Sequence, residues 1–199
     1  MQHKGLPIEG FCVAAGIPMT EKAAEIISGL KSVDICHVTF KPSSVDGILQ
    51  VVNIVAANPN FAIIMQWTGG HASGHHSFED FHQPILSTYS SICRCDNIVL
   101  VVGCSFGSSD NTWPYLSGDW SKEFGVGPMP FDDFLFSSHV MVAKEAHISL
   151  SIKDLIVAAA GIDDSQWEGT YVKDTGGIIT VCSELGEPIH KVNNRALKL

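Results

Sequence analysis

The chain has 199 residues, 45% of them hydrophobic and 17% charged, with a net charge of −9. That composition belongs to a folded globular chain, the size of one domain or one large part of a bigger one, and it excludes disorder. The scattered basic residues exclude a nucleic-acid-binding face, no apolar window of about eighteen residues is present to span a bilayer, and the N-terminal MQHKGLPIEG lacks the apolar core of a secretory signal.

Six cysteines are present: Cys12, Cys36, Cys93, Cys95, Cys104 and Cys182. In a cytoplasmic chain they are expected as reduced thiols. Cys93 and Cys95 form a C-x-C with no second pair nearby, so no zinc knuckle is expected.

The first apolar run is 10–16 (GFCVAAG), read as a strand. A helix follows over 20–30, with Thr20 as its N-cap and Ala23, Ala24, Ile26, Ile27 and Leu30 at helical spacing. The second strand is 35–41 (ICHVTFK), and the helix after it, 44–58, ends at Asn58-Pro59. The third strand is 61–67 (FAIIMQW), followed by a helix over 78–92 with Glu79 and Asp80 in its first turn. The fourth strand is 97–103 (NIVLVVG) and the fifth 133–137 (DFLFS). Segment 113–129, rich in Gly, Pro and Trp, breaks the period and reads as an ordered insertion with little regular pattern. Short helices are expected over 138–144 and 152–160, and TGGIITV in the tail suits a strand or hairpin.

All five strand runs are nearly continuous in apolar residues, which predicts burial on both faces of a parallel sheet. Strands alternating with helices imply right-handed βαβ units, and hence either a doubly wound sheet or a (β/α)8 barrel. The polar, Gly-rich strand ends favour the barrel, whose chemistry sits at the C-terminal ends of its strands. Five units are too few to close one, so the expected fold is α/β, a partial (β/α)8 TIM barrel lacking about three units, on the order of 100 residues. Residues 1–160 are expected to form this part and 161–199 a tail after the barrel.

Three loops carry possible chemistry. In 66–80 (QWTGGHASGHHSFED) a buried strand runs into three glycines and three histidines. Glycine lets backbone approach a ligand, and a histidine, His75 or His76, suits a general acid near neutral pH. The same stretch suits a plain turn with surface histidines. A metal site of His71, His75, His76 and His82 lacks H-E-x-x-H spacing and a carboxylate, so no metal is expected. In 101–111 (VVGCSFGSSDN) a strand enters G-x-x-x-G, a loop able to cradle a phosphate through its N–H groups, although many strand-to-helix turns look alike. In 131–144 (FDDFLFSSHVMVAK), Ser138 lies at a helix start, where it either meets a phosphate or caps the helix. Lys41 follows a strand and either faces the cleft, attracting negative charge, or is a solvated loop lysine.

Taken together, PIEGFCVAAGIP, HVTFKPSSVDGI, QWTGGHASGHHSFEDFHQPIL, VVGCSFGSSDNTWPYLSGDWS, PMPFDDFLFSSHVMVAKEA and TGGIITVCSELGEPIHK resemble the enoyl reductase domain of the fungal-type fatty acid synthase beta subunit. That domain is related to the nitronate monooxygenases and to bacterial flavin-dependent enoyl reductases. The resemblance runs over nearly the whole chain. It implies an FMN-binding barrel in which NADPH reduces the flavin and hydride passes to an enoyl thioester on acyl carrier protein, in fatty acid or specialised acyl-starter biosynthesis. It implies His75 as proton donor, Lys41, Gly69, Gly70 and Gly74 around the flavin, and Gly103, Ser105, Gly107 and Ser138 at its phosphate. The remaining domains or subunits of a synthase are the implied partners.

The departures fall beside those same loops. The family pattern reads WTGGRAGGHH, GSGFG, PFDGFLFASRVM and ITVRSE, where this chain has His71, Ser73, Cys104 and Ser105, Asp133, Ser138, His139 and Cys182. Loss of an arginine fork or of a glycine approach costs roughly 1–3 kcal/mol of anion binding each. Three or four such losses rival a micromolar affinity, about 8 kcal/mol. Two further readings therefore stand beside the enzyme fragment: a non-catalytic, degenerate remnant of the domain, and a nitronate monooxygenase-like flavoprotein. An open run of parallel strands also implies an unpaired edge and an apolar face that need a partner.

Overall fold

β1 (Gly10–Val13), β2 (His37–Phe40), β3 (Ala62–Trp67), β4 (Ile98–Gly103) and β5 (Asp133–Leu135) pair in parallel, in the unbroken order β1-β2-β3-β4-β5. The computed structural model describes residues 7–14, 16–69, 80–103, 106–136, 138–162, 170–182 and 188–193. Described residues up to Leu135 form one compact unit, and those from Phe136 onward a second.

In the first unit the strands are joined by α1 (Thr20–Lys31), α2 (Val45–Ala57), α3 (Gln83–Ile92) and α4 (Ser109–Ser117), the last followed by a 3-10 helix, Asp119–Phe124. A doubly wound sheet needs a point where strand order reverses, and β1 to β5 have none. Right-handed crossovers then bring successive helices to the same face, where α1 packs on α2 and α2 on α3. The sheet is open, with β1 and β5 as its edges.

The strands are buried on one face, not two. Val38, Phe40, Ile63, Met65, Trp67 and Val102 are fully buried and join one core with Ala23 and Ile27 of α1, Ile48, Val51, Ile54 and Val55 of α2, and Ile85 and Ile92 of α3. Residues between them in the strands are half-buried or exposed, including Thr39, Ile64, Gln66, Val99 and Val101. The continuous apolar runs concealed this alternation because Ile64, Val99 and Val101 are apolar on the uncovered face. The strands are also shorter than the apolar runs.

Helix boundaries follow local chemistry. Thr20 is the first residue of α1 rather than its cap; Met19 occupies that position in extended conformation and its side chain makes no cap. Glu21 in the first turn and Lys31 in the last complement the helix dipole. The Ser44 hydroxyl accepts the Gly47 N–H at 3.1 Å and starts α2. Pro59 bars Asn58 from helical geometry, and Asn97 then ties this turn to β4 by donating to the carbonyls of Asn58 and Phe61, each at 2.9 Å. α3 begins at Gln83, five residues later than expected, because Asp80 acts from outside it: its carboxylate accepts the N–H groups of His82 at 2.8 Å and Gln83 at 2.7 Å.

Segment 113–129 is not irregular. α4 carries Pro114 and stops at Gly118, whose φ of +78° lets the chain turn into the 3-10 helix. Trp120 Nε1 donates to the Met129 carbonyl at 2.7 Å, and Ser121 Oγ donates to the carbonyls of Gly118 and Gly127 at 2.8 and 2.7 Å. Pro114 and Gly118 hid the helical period from sequence reading.

The second unit contains α5 (Ser138–Met141), α6 (Leu150–Ala158) and an antiparallel hairpin of β6 (Ile178–Cys182) with β7 (Pro188–Val192). TGGIITV supplies both a turn and β6. Gly176 and Gly177 adopt φ of +60° and +83°, and a Cβ at Gly176 would overlap the Gly161 carbonyl. Asp174 accepts the Gly177 N–H at 3.0 Å and the Asn193 amide at 2.6 Å, closing the base of the hairpin. Among the described residues no helix is long and apolar enough to cross a membrane.

Candidate functional site

In an open parallel sheet ligands gather beyond the C-terminal ends of the strands, and several of the expected site residues lie there. Lys41 follows β2 directly, half-buried, with its N–H donating to the Val13 carbonyl at 3.3 Å. Gly69 lies two residues beyond β3, and Gly103 ends β4.

The two glycines are required by close approach. Gly69 has φ +56°, and a Cβ there would come within 2.7 Å of Phe81 Cδ2 and 2.9 Å of Phe81 Cα. A Cβ at Gly103 would meet Thr68 Cγ2 at 3.1 Å, Leu135 Cβ at 3.4 Å and Gln66 Nε2 at 3.5 Å. The ends of β3, β4 and β5 therefore converge over Gly103. Thr68 is almost fully buried there, and Gln66 projects from the uncovered face of β3.

Gly107 precedes α4. Its N–H donates to Asn111 Oδ1 at 3.3 Å, and the Ser108 N–H to the same oxygen at 3.0 Å, within a capping box of Ser108 and Asn111. A phosphate seated on Gly107 would share that N–H with Asn111. In the second unit Ser138 is the first residue of the short α5, inside the helix rather than ahead of it as a cap.

Gly70, Gly74, His75 and Ser105 lie outside the described residues, as do His71 and His76. Among the described residues no group of three His, Cys, Asp or Glu is gathered to hold a metal ion. His82 pairs with the ring-lined face of α4 and the 3-10 helix. Its Nε2 lies 2.9 Å from the Tyr115 hydroxyl, its ring stacks on Tyr115 with 15° between planes, and Trp120 packs 5.2 Å away. Burial pushes the imidazole below the ordinary histidine range, opposed by the nearby charges of Asp80 and Glu123. Burial likewise raises the Tyr115 phenol.

Four of the positions that depart from the family pattern, Asp133, Ser138, His139 and Cys182, lie among the described residues. Asp133 has no positive φ, so its side chain costs no backbone strain, and its carboxylate accepts the Phe134 N–H at 2.7 Å. His139 lies exposed on α5. Sequence reasoning missed Gln66, Phe81 and Asn111. Gln66 carried a signal, a lone amide in an otherwise apolar strand; the other two act through tertiary contact or capping.

Residues 62–199 match the family described as fatty acid synthase subunit beta/Fas1-like, helical. The chain is 58% identical over 197 residues to the fatty acid synthase subunit beta of Schizosaccharomyces pombe, covering 99% of this chain and 9% of that protein. It is 52% identical over 201 residues to the fatty acid synthase subunit beta of Saccharomyces cerevisiae, covering 100% of this chain and 10% of that protein. It is 52% identical over 199 residues to the fatty acid synthase beta subunit aflB of Emericella nidulans, covering 100% of this chain and 9% of that protein. The chain thus spans about a tenth of the length of the curated relatives it matches.

Proposed function

This chain belongs to the fatty acid synthase subunit beta/Fas1-like family, and from that membership we propose that it supplies part of the enoyl reductase of a fatty acid synthase. In this reading β1 to β5 and their helices are units of a (β/α)8 barrel that binds FMN, uses NADPH and reduces an enoyl thioester on acyl carrier protein, in the cytoplasm. The rest of the synthase supplies the remaining units and partners. The observation that carries the reading is the unreversed order β1-β2-β3-β4-β5 with Lys41, Gly69 and Gly103 along one C-terminal edge. That is the arrangement by which barrels build their sites.

Lys41, at the C-terminal end of β2, suits the cofactor by adding a cation for a flavin's negative charge, while the space beside Gly69 and Gly103 is filled by Phe81, Thr68, Leu135 and Gln66. When bound, FMN supplies hydride, received from NADPH, to the β-carbon of the enoyl group. By the resemblance, Lys41, Gly69 and Gly70 would hold the ring, and Gly103, Ser105 and Gly107 the phosphate. His75 gives a proton to the α-carbon, general acid catalysis of a kind worth about 10²–10⁴-fold.

A second reading, a non-catalytic remnant, is favoured by one observation: Asn111 already occupies the Gly107 N–H. One experiment separates the readings. The chain is exchanged for the corresponding segment of a full-length fatty acid synthase subunit beta, the visible spectrum is recorded with FMN, and NADPH oxidation is followed with a crotonyl thioester. A flavin-bound chain that oxidises NADPH only with the thioester, and whose His75→Ala variant keeps flavin but loses reduction, bears out the enzyme. A colourless chain bears out the remnant. Oxygen-dependent turnover of a nitronate would point to a nitronate monooxygenase-like flavoprotein and overturn both.

A further inference from the structure

We propose that Gln66 is a specificity-determining residue of the site, its carboxamide pairing with the imide group on the edge of a flavin ring while Lys41 beside it meets the ring's negative charge. The flavin in this inference rests on the proposed function; the placement of the two side chains does not.

Residues paired in a parallel ladder share one face of the sheet. Thr39 pairs with Ile64 and Phe40 with Met65, so Lys41 and Gln66 come next, side by side, on the uncovered face. The ladder holds as far as Lys41, whose N–H donates to the Val13 carbonyl at 3.3 Å. On its other side Gln66 pairs with Val101, and Val101 with Asp133. One row thus crosses the C-terminal part of the uncovered face, with neighbours about 4.8 Å apart. A cation and an amide adjoin at one end of it, an apolar residue follows, and the carboxylate stands two strands away from Gln66.

Neither polar group is engaged by the fold. Of the half-buried amides in the first unit, Gln50, Asn58 and Asn97 each donate to a backbone carbonyl, at 3.1, 2.8 and 2.9 Å. Gln66 is half-buried too, yet among the described residues its amide has no hydrogen-bond partner and Lys41 no ion-pair partner. A half-buried amide left unpaired costs stability. Its Nε2 lies 3.5 Å from where a Cβ at Gly103 would stand, so that glycine gives the amide its place at the edge. A carboxamide presents an acceptor and donors side by side, the complement of an imide's N–H and carbonyl. A carboxylate there would only accept, and an alkyl group would do neither. The ammonium next to it favours a ring that carries negative charge.

The test uses the chain carried in a full-length fatty acid synthase subunit beta in place of the corresponding segment. The protein is freed of flavin and titrated with FMN or with its N3-methyl derivative, which lacks the imide proton; quenching of flavin fluorescence reads each affinity. The parent should prefer FMN by about fivefold or more, the net worth of one hydrogen bond. Gln66→Ala and the near-isosteric Gln66→Met should bind FMN about fivefold more weakly and the methyl derivative as the parent does, so that the preference disappears. Val99→Ala, on the same face but nearer the N-terminal end of β4, should keep it. A preference retained in both Gln66 variants, or lost equally in Val99→Ala, would overturn the inference and leave the proposed function standing. A parent that takes up neither flavin would overturn both.

Discussion

The Tyr115 hydroxyl and His82 Nε2 lie 2.9 Å apart, in a ring-lined setting that disfavours imidazolium. Burial lowers the His82 pKa and the charges of Asp80 and Glu123 only partly restore it. The unfolded chain therefore binds a proton more readily than the folded one. Stability from this group is complete above the ordinary histidine value of 6.5 and is lost as pH falls below it. Thermal unfolding between pH 8 and pH 5 should show a falling midpoint with a shallow slope, since the ring is half exposed. His82→Gln should flatten that part of the profile; an identical profile would remove His82 as its cause.

One-sided burial of the sheet makes opposite substitutions unequal. Ile48, fully buried between α2 and the strands, should lose about 2–5 kcal/mol on Ile48→Ala. Val99, 37% exposed on the uncovered face of β4, should lose less than about 0.5 kcal/mol on Val99→Ala in the isolated chain. Urea unfolding of the two variants measures both. Equal losses would mean that the uncovered face is packed in solution.

Two glycines around the 3-10 helix share a left-handed backbone and differ in surroundings. Gly118 and Gly125 have φ of +78° and +74°, but a Cβ at Gly118 would lie 2.5 Å from the Met129 nitrogen while Gly125 meets nothing within 4 Å. Gly125→Ala should therefore cost only the backbone strain, about 1 kcal/mol, and Gly118→Ala clearly more. Comparison of their unfolding midpoints under one set of conditions tests the difference.

The alternation of strand and helix was legible because five apolar runs are separated by amphipathic segments, and the C-terminal edge because Lys41, Gly69 and Gly103 punctuate strand ends. What escaped reading has physical causes. Ile64 and Val99 lie on the uncovered face yet are as apolar as the core, so one-sided burial leaves no mark in composition. Asp80 starts α3 from outside the helix, which displaces its apparent boundary. α4 contains Pro114 and ends at Gly118, both of which read as breaks. Phe81 becomes important only because Gly69 lies under it, a contact between residues twelve apart.

Asn111 offers the sharpest test of where a phosphate sits. Its side chain accepts the N–H groups of Gly107 and Ser108 and completes the capping box of α4. Asn111→Ala removes that cap and should destabilise the chain by about 1 kcal/mol. If Gly107 holds the FMN phosphate, the same change releases an N–H directed at the anion, and FMN should bind more tightly as the fold weakens. Stability and affinity would then move in opposite directions, which simple damage to the fold does not produce. Fluorescence titration of FMN alongside thermal unfolding reads both quantities. Weaker FMN binding in step with lower stability would place the phosphate away from Gly107.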